Sequence, residues 1–304
     1  MEYKEIRKRL SNGLLSFPIT DFDKVGDFSK GTYEKRIEWQ SSAGACSLFA
    51  AGGTGEFFSL TLMEYSDIVK IAVDNCPKDF PVFAGVGGGT RVAIEYAKEA
   101  ERNGANGILL LPHYLMDADS EGIASHIREV CKSVKISVVL YIRGLCQPSA
   151  VDIEKLVEEC PNIIALKDGV GDLEKMVLIR SRVGDRITYI GGLPTAELYA
   201  TAYKNLGFTT YSSAVYNFIP DFAIRFYSFV FSGNIMEETR LIDDFFVPYL
   251  QLRNSKKGYA VSIVKAGASI VGRSAGPVRP PLFDLDDSEK GKLRTMIEKY
   301  LTTV

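Results

Sequence analysis

Short apolar segments rich in β-branched and aromatic residues alternate with longer segments of helical periodicity, and this alternation repeats eight times. Apolar strands separated by helices are typical of parallel strands that are buried on both faces. Eight such units predict an α/β fold, a (β/α)8 or TIM barrel over residues 1–233. A doubly wound open sheet has the same local pattern and is the alternative, but the count of eight favours the barrel. The predicted strands are residues 14–19, 46–51, 81–86, 107–111, 136–142, 163–167, 187–192 and 209–214.

Strand signals stop after about residue 233. A proline-rich segment at 276–286 separates the last helical segment from those before it. We therefore expect residues 234–304 to form a helical extension that packs on the barrel within one structural unit. The predicted helices of this extension are residues 235–252, 257–271 and 287–302.

The composition limits the classes of partner. Hydrophobic residues make up 46% of the 304 residues and charged residues 24%, the usual balance of a globular protein. The net charge of -2 disfavours a nucleic-acid or anionic-membrane partner, because no excess of basic residues is present. No run of 18 or more apolar residues predicts a membrane span.

Cysteine and histidine usage predicts a cytoplasmic protein without a structural metal. The five cysteines are widely spaced and include no C-x-x-C pair, which is typical of a reducing compartment. Only two histidines occur, His113 and His126, so a histidine-rich metal centre is excluded. The charged N-terminal segment MEYKEIRKRL lacks the apolar core of a signal peptide.

In a barrel of this class the carboxyl ends of the strands line the active site, and the second strand is followed there by a glycine cluster. Backbone N–H groups around Gly53 and Thr54 could hold a carboxylate or a phosphate. A plain tight turn explains the glycines equally well. At the fourth strand end, His113 is either a site residue or a structural histidine.

Lys167 and Asp168 end the sixth predicted strand. By itself such a lysine is usually a side chain that reaches solvent or pairs with the neighbouring aspartate. The alternative is a buried amine whose pKa falls because its charged form is desolvated, which leaves it neutral and nucleophilic towards a ketone. Tyr141, at the end of the fifth strand, is then either a rim residue or the acid/base, and Arg143 could pair with a substrate carboxylate.

Three motifs occur in order at the correct strands. They are Gly52-Gly53-Thr54-Gly55-Glu56, the tyrosine at position 141, and IIALKDGVGD at 163–172. Together they resemble the dihydrodipicolinate synthase / N-acetylneuraminate lyase family over essentially the whole chain. The resemblance implies a lyase in which Lys167 forms a Schiff base with a 2-oxo acid, Tyr141 moves protons and no cofactor is needed.

Within the family, segments such as GGLPTAELY and KGYAVSIVKAG are similar to members that dehydrate and decarboxylate 5-dehydro-4-deoxy-D-glucarate. Gly53 stands where the synthases usually carry a second threonine, and Cys146 where they usually carry an arginine. After Tyr141 the chain reads Ile-Arg-Gly-Leu, whereas this subgroup usually reads Asn-Arg-Asp-Asn. The tyrosine and the arginine are thus kept, but the polar residues around the arginine are not.

The resemblance implies a small-molecule partner, a 2-oxo sugar acid, and the products 2,5-dioxopentanoate, water and CO2. A pyruvate-releasing aldolase or a non-catalytic sugar-acid-binding barrel remains the alternative. Members are commonly homotetramers or dimers, and the aromatic residues Phe226, Tyr227, Phe245 and Phe246 could serve either subunit contacts or the core. The expected substrate-binding residues are Gly53, Thr54, Arg143, Gly192, Thr195, Ser212 and Ser213.

Overall fold

A computed structural model describes residues 1–112 and 117–301, and its centre is an eight-stranded parallel sheet. The strands pair in chain order, and a bridge between Leu15 and Ser212 joins the last strand to the first. The predicted barrel is therefore confirmed over the open sheet. The strands are β1 Leu15–Ser16, β2 Ser47–Ala50, β3 Val82–Val86, β4 Gly107–Leu110, β5 Ser137–Ile142, β6 Ile163–Asp168, β7 Thr188–Gly191 and β8 Thr210–Tyr211.

Helices follow the strands and cover the outside of the barrel. Residues typical of helix ends mark two of them: Gly104 follows the fourth helix with a φ of 83°, and Pro220 occupies the first turn of the ninth. The helices up to this point are α1 Tyr3–Leu10, α2 Lys30–Ser42, α3 Leu62–Asn75, α4 Thr90–Arg102, α5 Ser120–Lys132, α6 Ala150–Glu159, α7 Leu173–Val183, α8 Ala200–Asn205 and α9 Pro220–Ser232.

Aromatic side chains fill the inside of the barrel. Phe49 stacks between Phe17 and Phe83, with ring centroids 4.5 and 4.7 Å apart. Ile6 and Leu10 of α1, a helix that the sequence analysis does not predict, join the same buried cluster. This apolar filling separates the mouth of the barrel from solvent on the other side, so groups placed just above it are desolvated.

The C-terminal segment is helical and packs against α9. Phe226, Phe245 and Phe246 are fully buried in one cluster with Tyr249, which assigns these aromatic residues to the core of the chain and not to subunit contacts. None of the helices in the described segments is long and apolar enough to cross a membrane. The remaining helices are α10 Ile235–Leu241, α11 Val247–Arg253, α12 Tyr259–Ile270 and α13 Asp287–Glu298, with a π-helical segment, Ile242–Phe246, between α10 and α11.

Two buried ion pairs support the contact between barrel and C-terminal segment. Lys265 of α12 lies 2.7 Å from Glu56 in the loop after β2. Arg36 of α2 holds Asp21 with two hydrogen bonds and also donates to the carbonyl of Arg273, which follows α12. Both pairs are nearly inaccessible to water, so each charge depends on its partner.

Candidate active site

A cavity of about 330 Å³ opens at the carboxyl ends of the strands, where barrels of this fold carry their active sites. Its floor is formed by Phe17, and its wall brings together residues from β2, β5, β6, β7 and β8 or the loops that follow them. The sequence-predicted residues found in this wall are Gly53, Thr54, Tyr141, Arg143, Lys167, Gly192, Ser212 and Ser213.

Lys167 is a buried amine in the cavity wall, with only 5% of its surface exposed. Its Nζ atom lies 3.9 Å from the centroid of the Phe17 ring and 4.4 Å from that of Tyr141. Across residues 1–112 and 117–301, no carboxylate forms an ion pair with it. The side chain therefore neither reaches solvent nor pairs with an acid, and the ordinary explanations of a strand-end lysine do not hold.

Asp168, the neighbour in sequence, is engaged elsewhere. Its carboxylate accepts hydrogen bonds from the Tyr203 hydroxyl at 2.8 Å and from the N–H groups of Val170 and Gly171. Since successive strand residues point to opposite faces, Asp168 turns towards the helices while Lys167 turns into the barrel. The Lys–Asp ion pair considered above is not formed.

The surroundings of Lys167 favour its neutral form. Burial lowers the pKa of its amine to about 7, and the positive charge of Arg143 contributes in the same direction. An amine with this pKa is neutral in a large share of molecules at neutral pH. Only the neutral form has the lone pair that attacks a carbonyl carbon.

Tyr141 is the residue of β5 directly opposite Lys167 in the sheet. Its hydroxyl donates to the Gly192 carbonyl at 3.0 Å and accepts from Arg143 Nη1 at 3.1 Å. Burial raises the pKa of the phenol, while the Arg143 charge and hydrogen bond lower it. The hydroxyl is thus fixed by two hydrogen bonds on a ring that lies against the Lys167 amine, an arrangement compatible with proton transfer.

Two glycines give these side chains room. A Cβ atom at Gly192 would lie 2.5 Å from Lys167 Cγ, and one at Gly169 would lie 2.5 Å from the Tyr141 ring. Any side chain at either position would displace the lysine or the tyrosine. From the sequence, Gly192 is predicted only as a substrate contact and Gly169 is not predicted; the one available signal for Gly169 is its place directly after Lys167 and Asp168.

The glycine-rich loop after β2 brings Gly53 and Thr54 into the wall, and its ends are held in unusual backbone conformations. Ala51 and Glu56 have φ angles of 48° and 57°, which are rare for residues with a side chain. The Glu56 carboxylate is fixed by Lys265 and by the N–H of Arg279 at 2.9 Å. These contacts hold in place the end of the loop that carries Gly53 and Thr54.

The cavity wall also carries Arg143, Ser212 and Ser213. The Ser213 hydroxyl donates to the buried Glu197 carboxylate at 2.6 Å, and the Ser212 N–H donates to the Gly191 carbonyl at 2.9 Å. Thr195 is not among the residues of this wall, and its hydroxyl accepts a hydrogen bond from Arg253. His113 lies outside the described residues.

The C-terminal segment contributes wall residues that the strand-end argument misses. Gly258, Ala260, Val261 and Leu282 face the cavity together with Phe58 of the β2 loop. The four follow no strand of the barrel directly, so only the resemblance of the segment KGYAVSIVKAG points to this region. These residues are small or apolar, and they limit the space that the cavity offers to a ligand.

Known proteins match this chain over almost its whole length. The model of the dihydrodipicolinate synthetase family matches residues 10–300. A protein of Pseudomonas putida named 5-dehydro-4-deoxyglucarate dehydratase is 58% identical over 299 residues, which covers 98% of this chain and 99% of that protein. A protein of Pseudomonas syringae pv. syringae named "Probable 5-dehydro-4-deoxyglucarate dehydratase" is 57% identical with the same coverage.

Solved structures share the fold at lower sequence identity. Dihydrodipicolinate synthase from Oceanobacillus iheyensis superimposes with a TM-score of 0.89 at 22% identity and covers 98% of this chain and 99% of its own. The enzyme from Aquifex aeolicus gives a TM-score of 0.85 at 24% identity, covering 95% and 98%. The family model and the relatives above 50% identity agree: the chain belongs to the dihydrodipicolinate synthetase family.

Proposed function

We propose that the protein is a Schiff-base lyase that converts 5-dehydro-4-deoxy-D-glucarate to 2,5-dioxopentanoate, water and CO2 in the catabolism of glucarate or galactarate. The observation that supports the chemistry is the buried Lys167 amine, which lacks an acidic partner among the described residues and faces the cavity beside Tyr141. The substrate is supported by relatives at 57–58% identity that carry the name of this dehydratase.

The first half of the proposed reaction builds an electron sink on Lys167. The neutral amine attacks the C5 ketone of the substrate, and loss of water gives a protonated imine while Tyr141 transfers protons. The cationic imine draws electrons from C4, so a C4 proton leaves and an enamine forms. The enamine electron pair then becomes the C3–C4 double bond as the C3 hydroxyl departs as water.

The second half uses the same sink. The conjugated imine accepts the electron pair of the C1–C2 bond when the C1 carboxylate leaves as CO2. Protonation of the resulting dienamine and hydrolysis of the imine release 2,5-dioxopentanoate and regenerate Lys167. The lysine supplies the electron sink in every step, so the proposed route includes no metal, flavin or nicotinamide.

The cavity wall suggests how the substrate is oriented. Backbone N–H groups around Gly53 and Thr54 are proposed to bind the carboxylate next to the ketone, since they lie on a loop whose ends are fixed. Arg143, Ser212 and Ser213 are proposed to bind the distal carboxylate and hydroxyls. For Thr195, whose hydroxyl is engaged by Arg253, we propose support of this region without direct contact.

The product assay is the experiment that tests this function. Purified protein is incubated with 5-dehydro-4-deoxy-D-glucarate, and we expect equimolar CO2 and 2,5-dioxopentanoate. Release of pyruvate without CO2 would instead identify an aldolase of the same family. Binding of the substrate with neither product would identify a non-catalytic sugar-acid-binding barrel.

We also propose that the chain forms a homotetramer or dimer in the cytoplasm. The exposed face of α7 supports assembly, because Leu173, Val177 and Leu178 leave 37%, 49% and 55% of their surfaces accessible in the isolated chain. The five free cysteines are compatible with a reducing compartment. Light scattering of the purified protein tests the assembly, and a monomeric mass would contradict it.

A further inference from the structure

Arg143 is a cation in the cavity wall that no acidic side chain neutralises within the part of the chain that the structure describes. Its guanidinium donates to the Tyr141 hydroxyl at 3.1 Å. A role limited to binding a distal carboxylate does not require this contact with the tyrosine. The Arg143 charge therefore acts on Tyr141 before any substrate binds.

The partners of the Tyr141 hydroxyl cannot take its proton. The Gly192 carbonyl is not basic, and the Arg143 guanidinium is always protonated. Gly53, which shares the cavity wall, has no hydroxyl that could relay a proton. If Tyr141 is to give up its proton during imine formation, the neighbour that stabilises the resulting phenolate is Arg143.

The same charge acts on Lys167. After burial, the positive charge of Arg143 is the second cause that lowers the pKa of this amine. The other charged and titratable groups near the pair are Asp168, whose carboxylate is bound by the Tyr203 hydroxyl and by loop N–H groups, and Arg253 of α11, whose positive charge repels that of Arg143. None of these replaces the effect of Arg143 on the lysine.

We infer that Arg143 is a positioning residue for the chemistry as well as for the substrate: its guanidinium binds the Tyr141 hydroxyl, on the residue directly opposite Lys167, and from there its charge acts on both the acid/base and the nucleophile. One cation thus prepares both the nucleophile and the acid/base of the reaction. This inference rests on the imine chemistry of the proposed function, but not on the identity of the sugar acid.

Pyruvate separates this role from substrate binding, because it forms an imine but has no distal carboxylate. Trapping of pyruvate on Lys167 by cyanoborohydride is followed by mass spectrometry from pH 6 to pH 9 in wild type, Arg143→Gln and Arg143→Lys. The control is Arg180→Gln, since Arg180 also lies beside a tyrosine ring, that of Tyr189, but outside the cavity.

In Arg143→Gln we expect the midpoint of trapping to move to higher pH. The rate at pH 7 should fall by about two- to sixfold, which corresponds to a shift of roughly half to one pH unit from a midpoint near 7. Arg143→Lys should retain most of the wild-type rate at pH 7, and Arg180→Gln all of it. Adding Arg143→Gln to the Tyr141→Phe variant should lower the trapping rate by a smaller factor than adding Arg143→Gln to the wild type. The reason is that the phenol on which Arg143 acts is then absent.

Two results would overturn the inference. One is a wild-type midpoint for pyruvate in Arg143→Gln, with only the KM for the six-carbon acid raised, which would make Arg143 a carboxylate-binding residue alone. The other is loss of trapping at every pH, because a shifted midpoint must allow recovery at high pH. If the wild type itself shows no labelled Lys167 with pyruvate, the proposed imine chemistry is contradicted. This outcome differs from the two above, in which the wild type is labelled.

Discussion

Two lysines of this chain are buried to a similar degree, and they differ in their partners. Lys167 and Lys265 expose 5% and 2% of their surfaces, and their Nζ atoms lie 3.9 and 4.1 Å from the phenylalanine rings of Phe17 and Phe22. Lys265 pairs with Glu56 at 2.7 Å and donates to the Pro277 carbonyl at 2.8 Å. Lys167 has neither kind of partner among the described residues, although it faces a cavity that can admit one.

This difference shows that burial alone does not prepare an amine for catalysis. Burial lowers the pKa of both lysines, but in Lys265 the Glu56 carboxylate opposes that effect and holds the charge in place. Around Lys167 the charge that acts on the amine from within the described segments is that of Arg143, and it adds to the effect of burial. A buried lysine with a carboxylate forms a structural ion pair, whereas a buried lysine without one, facing a cavity, is a candidate nucleophile.

The largest expected effect is the loss of activity in Lys167→Met. This change removes the nucleophile, so turnover of 5-dehydro-4-deoxy-D-glucarate should fall by roughly 10⁴-fold or more. The melting temperature should not fall, because methionine replaces an amine that has no polar partner among the described residues. Activity is measured as CO2 release and stability by thermal unfolding.

The matched control is Lys265→Arg, which keeps a cation next to Glu56 and leaves the nucleophile in place. We expect folded Lys265→Arg protein to release CO2 from the substrate. Substantial turnover by Lys167→Met would show that the comparison assigns the reactive amine wrongly.

The second expected effect is a loss of stability, and it follows from replacing Lys265 instead of Lys167. Lys265→Met leaves the Glu56 carboxylate buried without its partner, which should cost about 3–5 kcal/mol of unfolding free energy. The double variant Lys265→Met/Glu56→Gln removes the unpaired charge and should recover a large part of this loss. Urea unfolding of the two variants and the wild type provides the measurement.

If Lys265→Met loses only a little unfolding free energy, and no more than the double variant, the Lys265–Glu56 pair contributes little to stability. The functional consequence is separate, since Glu56 ends the loop that carries Gly53 and Thr54. If the pair supports this loop, the double variant should bind the substrate more weakly than wild type even where it is stable.

Local patterns in the sequence are sufficient to predict the barrel and half of the site. The strands lie in predominantly apolar segments whose ends mark the mouth of the barrel, and Lys167 and Tyr141 lie within one residue of such ends. The helix α1 escapes prediction because its apolar content is limited to residues such as Ile6 and Leu10 within a charged segment. Ile6 and Leu10 cover the bottom of the barrel, so their role as an apolar helix face is recognised only once the barrel is known.

The remaining part of the site depends on contacts between distant segments. Nothing in the residues around Lys167 states whether Asp168 pairs with it or turns towards Tyr203, because both arrangements satisfy the same sequence. Likewise Val261 and Leu282 reach the cavity only through the packing of the C-terminal segment on the barrel. Such positions are set by tertiary structure, which a strand-end argument does not contain.

The smallest predicted effect concerns the pH dependence of stability. The pKa of Lys167 falls from an ordinary value near 10.5 to about 7 on folding, so between these values the unfolded chain binds a proton that the folded chain does not. Unfolding then takes up a proton, and the stability of the wild type should rise with pH over this window, by up to about 1.4 kcal/mol per unit. In Lys167→Met this contribution disappears. Urea unfolding at pH 7 and pH 9 should therefore show a larger gain in wild type than in the variant, and equal gains would mean that the amine is protonated in the folded protein.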